Sequence, residues 1–539
     1  MIRINNIKLS PDEGREVLEG RISEILGTSQ FDYRIERESL DARRRGGRHQ
    51  LVFNYAVIAD LHDPAKEKAL ARKKNLKIWE EKPVFIPQAS GRAEASGRPV
   101  IAGFGPAGLF AAYYLAQEGY RPIVLERGDA VEERRRKVEA FRAGRAPLDP
   151  ESNVQFGEGG AGTFSDGKLT SRSKDPLSRE VKKIFVRHGA PEDILYAFEP
   201  HIGTDLLSGV VASMRKEIIR LGGDVHFNTA LRSLDAEPGT GLKRMETSAG
   251  TLEGPLFLAI GHSARDTFRM LISAGLRAEA KDFAVGFRIE HDQDWINRRQ
   301  YGEYAGHPRL GAASYRVHSR FYEGRNAYSF CMCPGGRVIA AASGPCQAVT
   351  NGMSYHARDG ECGNSAILTA VKAGRDFADA PEAGILFQEE AEARAFQAGG
   401  GGAFAPVMRL GAFFKEAGLA PRKARVTTRE PSYLPGVNES SLAGIYPEKI
   451  TRAIARGIAE IDDFMPGFGG ENIWLTGAES RSSSPVRFRR DPESREAEDF
   501  PGIYPIGEGA GYAGGIISAA ADGLRSALRF STNYKPASR

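Results

Sequence analysis

The sequence predicts an α/β protein whose parallel sheet is assembled from the middle of the chain and its far end, and three observations predict it. A strand, a glycine-rich turn and an apolar helix follow one another in RPVIAGFGPAGLFAAYYLAQEGYRPIVLERG. A second strand, glycine-rich turn and helix occur near the end, in FPGIYPIGEGAGYAGGIISAAADGLRSAL. Between them, residues 283 to roughly 470 bring in new strands, FAVGFRIEH, AYSFCMCP and RVIAAAS, separated by polar loops, as an inserted domain would.

Residues 1–87 read as a separate small unit. An apolar strand IRINNIKL, a helix PDEGREVLEGRISEIL, strands around YRIERESL and HQLVFNYAVIA, a helix AKEKALARKK and a strand LKIWEEKPVFI succeed one another. That order, β-α-β-β-α-β, predicts a ferredoxin-like α+β domain. Residues 88–98 are small, polar and glycine-rich, and read as a linker.

At 539 residues the chain exceeds one compact core, and 41% hydrophobic with 27% charged residues is the balance of a globular protein. A formal charge of +5 does not demand nucleic acid. The start MIRINNIKLS lacks the basic-then-apolar pattern of a signal peptide, and no run is apolar enough to span a bilayer, so a cytoplasmic location without membrane partners is expected. Four cysteines, Cys331, Cys333, Cys346 and Cys362, without metal-ligand spacing predict reduced thiols and no metal.

In the first glycine-rich turn, Gly103, Gly105 and Gly108 form G-x-G-x-x-G after the strand Val100–Ala102, with Pro106 and Ala107 opening the helix. Gly103 permits the tight turn, Gly105 lets the backbone approach a diphosphate, and Gly108 lets helix and strand pack closely. The helix N-terminus then offers free N–H groups and partial positive charge to the anion. The strand RPIVLE ends in Glu126, 18 residues beyond Gly108, where a carboxylate accepts from the two hydroxyls of an adenosine ribose; Arg127 follows it.

The C-terminal segment decides between dinucleotides in favour of FAD. Its strand ends in Gly507 and Glu508, an acid for the ribitol hydroxyls, and its helix begins near Gly514, Gly515 and Ile516, where N–H groups face the flavin N1/O2 edge. The loop NVQFGEGGAGTFSDGKLT suits a backbone wrapped around ring and phosphates, through Gly159, Gly160, Gly162, Thr163, Ser165, Asp166, Gly167 and Lys168. The strand PLFLAIGHSARDT brings Ala259 and Gly261 under the adenosine half; His262 and Asp266 suit acid–base work there, but better a turn residue and a helix cap. The run Glu132–Arg142 has the charge pattern of a solvated helix from which Arg134 reaches the diphosphate.

These segments, with LAIGHSARDT and ESRSSSPVRF, resemble over nearly the whole chain a family of bacterial FAD-dependent proteins often labelled NAD(FAD)-utilising dehydrogenases. The resemblance implies the glutathione-reductase-type FAD superfamily: a Rossmann-type FAD-binding domain (parallel sheet plus β-meander) at 99–280 and 491–539, with a mixed α+β cap or substrate domain inserted at 281–490. A second strand–GxGxxG–helix unit is missing, which leaves NADH or NADPH the role of a transient electron donor at the flavin face.

The activity so read is an FAD-dependent oxidoreductase passing hydride or electrons to or from a small-molecule substrate, with no catalytic acid or base singled out. Two alternatives stay open. An RNA-modifying or RNA-binding flavoprotein would use Arg43–Arg48 on phosphates, and a flavin-based redox sensor would use Cys331 and Cys333, whose C-x-C spacing also suits two cysteines packed on a strand. Arg481 or Arg487 in ESRSSSPVRFRR would bind a carboxylate or phosphate of the substrate.

Overall fold

The computed structural model describes residues 1–45, 48–80, 88–170, 175–424 and 429–537. Parts of the basic stretch Arg43–Arg48 and of the strand LKIWEEKPVFI lie outside them; within them that strand is only Lys77–Ile78.

Near the N-terminus, four strands form an antiparallel sheet in the order Asp32–Asp41, Val52–Asp60, Ile2–Leu9, Lys77–Ile78. Ile2, Ile4, Ile7 and Leu9 turn inward against Leu18, Ile22 and Leu26 of the helix Arg15–Leu26, so period-2 and period-3.6 apolar patterns share one core. Arg309 anchors this unit to the rest of the chain: it donates to the Tyr55 hydroxyl at 2.9 Å and sits over the Phe53 ring.

Residues Ala93–Glu94, within the segment read as a linker, pair in parallel with Tyr534–Lys535, just after the C-terminal helix. The N–H groups of Ser90 and Gly91 donate to the Ser531 carbonyl. A stretch of low apolar content is thus fixed by backbone hydrogen bonds, which composition does not reveal.

The parallel sheet has the order Asp224–His226, Ile123–Leu125, Val100–Ala102, Leu256–Leu258, Ile503–Pro505. Val100–Ala102 and Leu256–Leu258 are buried throughout, as continuous apolar runs in a sheet covered on both faces require. A three-stranded meander, Leu231–Glu237, Gly241–Thr247 and Gly250–Leu252, precedes Leu256–Leu258. The helix Pro106–Gln117 lies against the helix Ile516–Asn533 so closely that a Cβ on Gly523 would stand 2.0 Å from the Ala107 carbonyl oxygen.

Residues 283–479 carry a six-stranded sheet in the order Tyr328–Cys333, Cys362–Val371, Phe283–Asp292, Trp474–Glu479, Ala405–Arg409, Val437–Glu439. Its core joins Phe287 and Leu475 to Phe413, Phe414 and the inner face of the helix Glu448–Phe464. No helix among the described residues is long and apolar enough to cross a membrane.

The helix Val131–Arg142 corrects its reading as a solvated element. Val131, Arg134 and Val138 are buried, and Arg134 is 0% exposed.

Candidate functional site

A cavity of 680 Å3 opens where the two larger sheets meet. The strand Val100–Ala102 delivers the chain to Gly103, whose φ of +104° is left-handed; a Cβ there would stand 2.3 Å from the Ala259 carbonyl oxygen. Gly105 is the N-cap of the helix and Pro106 its first residue, a position where the missing N–H costs nothing. Gly103, Gly105, Pro106 and Ala107 all line the cavity, so a helix N-terminus faces it. Gly108 does not line it: a Cβ there would stand 2.0 Å from the Gly103 carbonyl oxygen, so its role is close packing.

Glu126 lines the same wall and is 4% exposed. Its carboxylate accepts from the N–H groups of Phe104 at 2.9 Å, Gly128 at 3.0 Å and Gly157 at 3.0 Å, tying three turns together. A carboxylate has about four lone-pair sites, so room for a further donor remains. Arg127 also lines the cavity but is held by Glu151 at 2.8 Å and Asp266 at 2.9 Å, above the Phe156 ring. Asp266 therefore pairs with Arg127, and makes no cap of the helix Arg265–Ser273.

The glycine-rich loop folds over the first turn, the Gly159 N–H donating to the Phe104 carbonyl at 2.8 Å. Gly160, with φ +62°, lies so near Gly105 that a Cβ would stand 3.0 Å from its Cα. Gly160, Gly162, Ser165, Asp166 and Lys168 line the cavity; Gly159, Thr163 and Gly167 do not. The 3-10 turn Ala161–Phe164 directs Thr163 inward, where it is 0% exposed and its carbonyl accepts from the Thr204 hydroxyl. A Cβ on Gly167 would stand 2.8 Å from the Gly203 nitrogen.

Arg134 is the clearest correction. It does not line the cavity: it donates to the carbonyls of Asn153 at 2.8 Å, Val154 at 2.9 Å and Gly157 at 3.2 Å, and also to that of Glu158. It shapes the glycine-rich loop from behind. Asp166 is likewise engaged, by Arg358 and the Ser354 hydroxyl, which fastens the loop to the inserted domain.

On the opposite wall stand Ala259, Gly261, Glu508, Gly514, Gly515 and Ile516. Gly515, φ +102°, is the N-cap of the helix Ile516–Asn533, and a Cβ on it would meet nothing within 4 Å. Gly507 lies behind them: its N–H donates to Asp522 at 2.8 Å, and a Cβ would stand 2.6 Å from that of Ala107. His262 bonds the Ser263 hydroxyl at 2.8 Å; burial, with Arg481 and Arg265 nearby, pushes its pKa down to about 3, so the ring is neutral.

Removal from water pushes the Glu508 carboxyl up to about 7, against the counter-pull of Lys281. In the unfolded chain a Glu titrates near ~4.3. Between those values the native state holds the extra proton, so this group's contribution lowers stability as pH rises. Thermal melts of the apoprotein between pH 4.5 and 7.5 should therefore show a flatter decline for Glu508→Gln than for the parent; equal slopes would show that Glu508 titrates normally.

Of the third wall the sequence pointed to Cys331 alone: Phe283, Tyr328, Phe330, Leu368 and Glu479 close the cavity with it from the six-stranded sheet, and Asn351 joins them from the two-stranded hairpin Arg337–Ala340 and Thr350–Met353. Behind them Arg288, 0% exposed, places its donors on Glu479 at 2.8 and 2.9 Å, Asn351 at 2.9 Å, Asn364 at 3.1 Å and the Cys331 carbonyl at 3.0 Å. Arg481 lines the cavity, but Glu392 at 2.8 and 2.9 Å, Ser343 at 2.6 Å and Gln347 at 2.8 Å hold its guanidinium. Arg487 lies off the cavity and pairs with Glu279. Neither is the free anion receptor that the loop composition suggested.

Against known proteins, residues 282–482 match a family described as "FAD-dependent protein, C-terminal domain-like", and residues 1–60 match a domain of unknown function. An uncharacterized protein of Clostridium beijerinckii is 44% identical over 537 residues, 98% of each chain. The chain belongs to this family of FAD-dependent proteins.

FAD is its cofactor. Remote likenesses among solved structures include the L-amino acid deaminase of Proteus vulgaris, 10% identical over 84% of this chain and 98% of that one with a TM-score of 0.31. CtdE in complex with FAD is 10% identical over 80% and 81%, with a TM-score of 0.29.

The residues present fit the cofactor. Gly105 leaves the helix N-terminus bare toward the cavity, Gly515 leaves a second one bare across from it, and Glu126 stands at the strand end beside the first. The volume falls within the range of roughly 300–1,000 Å3 typical of cofactor and ligand sites.

Proposed function

We propose that this FAD-dependent protein is an oxidoreductase that exchanges hydride or an electron pair with a small molecule entering from the inserted sheet. One observation carries the reading: two helix N-termini, the glycine-rich loop and an apolar wall of the inserted sheet all face one cavity. Bound there, the flavin would supply two-electron transfer to or from the substrate.

In this reading the N-terminus of Pro106–Gln117 holds the diphosphate and Glu126 the adenosine ribose. Glu508, about half protonated near pH 7, offers the ribitol an acceptor and, in its protonated form, a donor. The N-terminus of Ile516–Asn533 stabilises negative charge developing on the pyrimidine edge. Tyr328, Phe330 and Leu368 exclude water beyond it, so the substrate portion nearest the flavin is apolar or planar.

The test is the absorbance spectrum of the purified protein, followed by anaerobic titration with NADH and NADPH. Flavin bands that bleach identify a nicotinamide-linked oxidoreductase; bands that persist direct the search to other donors. In Gly105→Ala the new Cβ meets only the Gly160 Cα at 3.7 Å, so the fold tolerates it, while the cradle narrows. FAD affinity is expected to fall at least about tenfold, ~1.4 kcal/mol, with an unchanged melting temperature of the apoprotein. Undiminished FAD binding would place the diphosphate elsewhere.

A further inference from the structure

Cys331 and Cys333 lie on the strand Tyr328–Cys333, at a break in its ladder. Phe330 pairs with Ala366 and Cys333 with Asn364, so this strand carries one residue more than its partner, a β-bulge. Cys331 takes up the irregularity with a left-handed φ of +44°, a conformation that costs a non-glycine residue about 1–3 kcal/mol and that clusters at functional sites.

The bulge sets Cys331 in the cavity wall, while Cys333 lies just behind it, 0% exposed. The Cys333 thiol donates to the Cys331 carbonyl at 3.2 Å, and both cysteines are free thiols. Gly336 and Gly352 make room for the pair: a Cβ on Gly352 would stand 2.9 Å from the Cys333 Sγ. The influence of each sulfur on the other holds the Cys331 thiol well below its ordinary range, aided by Lys168 and Arg288, and pushes Cys333 up. One sulfur is thus a thiolate nucleophile and its neighbour keeps its proton, the arrangement with which thiol–disulfide chemistry begins.

The position along the cavity matters as much as the pair. Lys168, which acts on Cys331, follows Gly162 in the glycine-rich loop, and a Cβ on Gly162 would stand 3.1 Å from the Ile516 side chain at the start of the second cavity-facing helix. If FAD lies as proposed above, Cys331 faces its flavin end.

We propose that Cys331 and Cys333 form a dithiol–disulfide couple that exchanges an electron pair with the bound flavin. In the oxidising direction the Cys333 S–H bond breaks and one S–S bond forms between its sulfur and the Cys331 thiolate. The two electrons and one proton released convert oxidised flavin to its anionic two-electron-reduced form. The reverse step consumes them, so no further oxidant is needed.

The experiment counts electrons and sulfurs in the holoprotein. After mild oxidation with diamide and removal of excess reagent, anaerobic dithionite titration is expected to require four electrons per FAD, and two in Cys331→Ser or Cys333→Ser. In parallel, alkylation under denaturing conditions reports the tryptic peptide Asn326–Arg337, which contains both cysteines. It should carry no alkyl group after diamide and two after full flavin reduction, with Cys346→Ser and Cys362→Ser behaving as the parent.

Two electrons per FAD with both thiols alkylated throughout would overturn the inference while leaving the flavin reading intact, as would a disulfide that survives flavin reduction. A protein that takes up no FAD would overturn the functional reading first and this inference with it. The peptide measurement on the parent decides even where a serine variant fails to fold.

Discussion

Arg288→Met is expected to destabilise the protein by about 3–5 kcal/mol, the cost of breaking a buried ion pair by removing one partner. The guanidinium lies at 0% exposure and reaches Glu479, Asn351, Asn364 and the Cys331 carbonyl, so methionine fills its volume but leaves a buried carboxylate without its charged partner and takes one donor from each of three neutral acceptors. Lysine, with a point charge instead of a planar fork, should restore little. The double variant Arg288→Met with Glu479→Gln removes the orphaned charge and should recover part of the loss. Urea unfolding followed by tryptophan fluorescence measures all three; a change below about 1 kcal/mol for Arg288→Met would mean the network contributes nothing to stability.

Glu126→Ala is expected to have the second largest effect, and to act on stability and FAD together. Three buried N–H groups, those of Phe104, Gly128 and Gly157, lose their acceptor. At about 1–3 kcal/mol for each unsatisfied group, partly relieved by entering water, roughly 3–6 kcal/mol is at stake. Calorimetry of apoprotein and FAD-loaded protein should show a lowered melting temperature in the first and little cofactor-induced rise in the second. Loss of FAD with an unshifted apoprotein melt would show that Glu126 serves the ribose alone, as the sequence suggested.

The difference between those two outcomes shows what was legible in advance. Gly103, Gly105 and Gly108 announce a cradle because the requirement they meet is local: a φ that other residues avoid, or a backbone approach that a side chain would block. Glu126 was legible as the acid at a strand end, but its service to Phe104 and Gly157 depends on a loop 31 residues away. Arg134 was misread because a helix rich in Arg and Glu looks solvated on both faces, and periodicity does not show that four carbonyls will converge on one guanidinium.

Arg288 and Glu479, 191 residues apart, left no sequence signal, since neither strand shows its partner, which appears only when the sheet forms. Cys331 shows a third case. The C-x-C spacing was visible, but the bulge that brings its first sulfur to the cavity is a property of two strands and not of one.

The parallel sheet is completed by Ile503–Pro505, which pairs with Leu256–Leu258, and the helix that follows closes the cavity. On a ribosome this order has a price in time. The strands from Val100 to Leu258 emerge early and wait, with one edge of their sheet unpaired, through the synthesis of the entire inserted sheet. The nascent chain therefore has no complete pocket until Ile503–Pro505 and the helix Ile516–Asn533 are made, and cofactor capture waits for them. A message truncated before Ile503 would yield not a weakened flavoprotein but an open sheet edge, a species for chaperones and proteases.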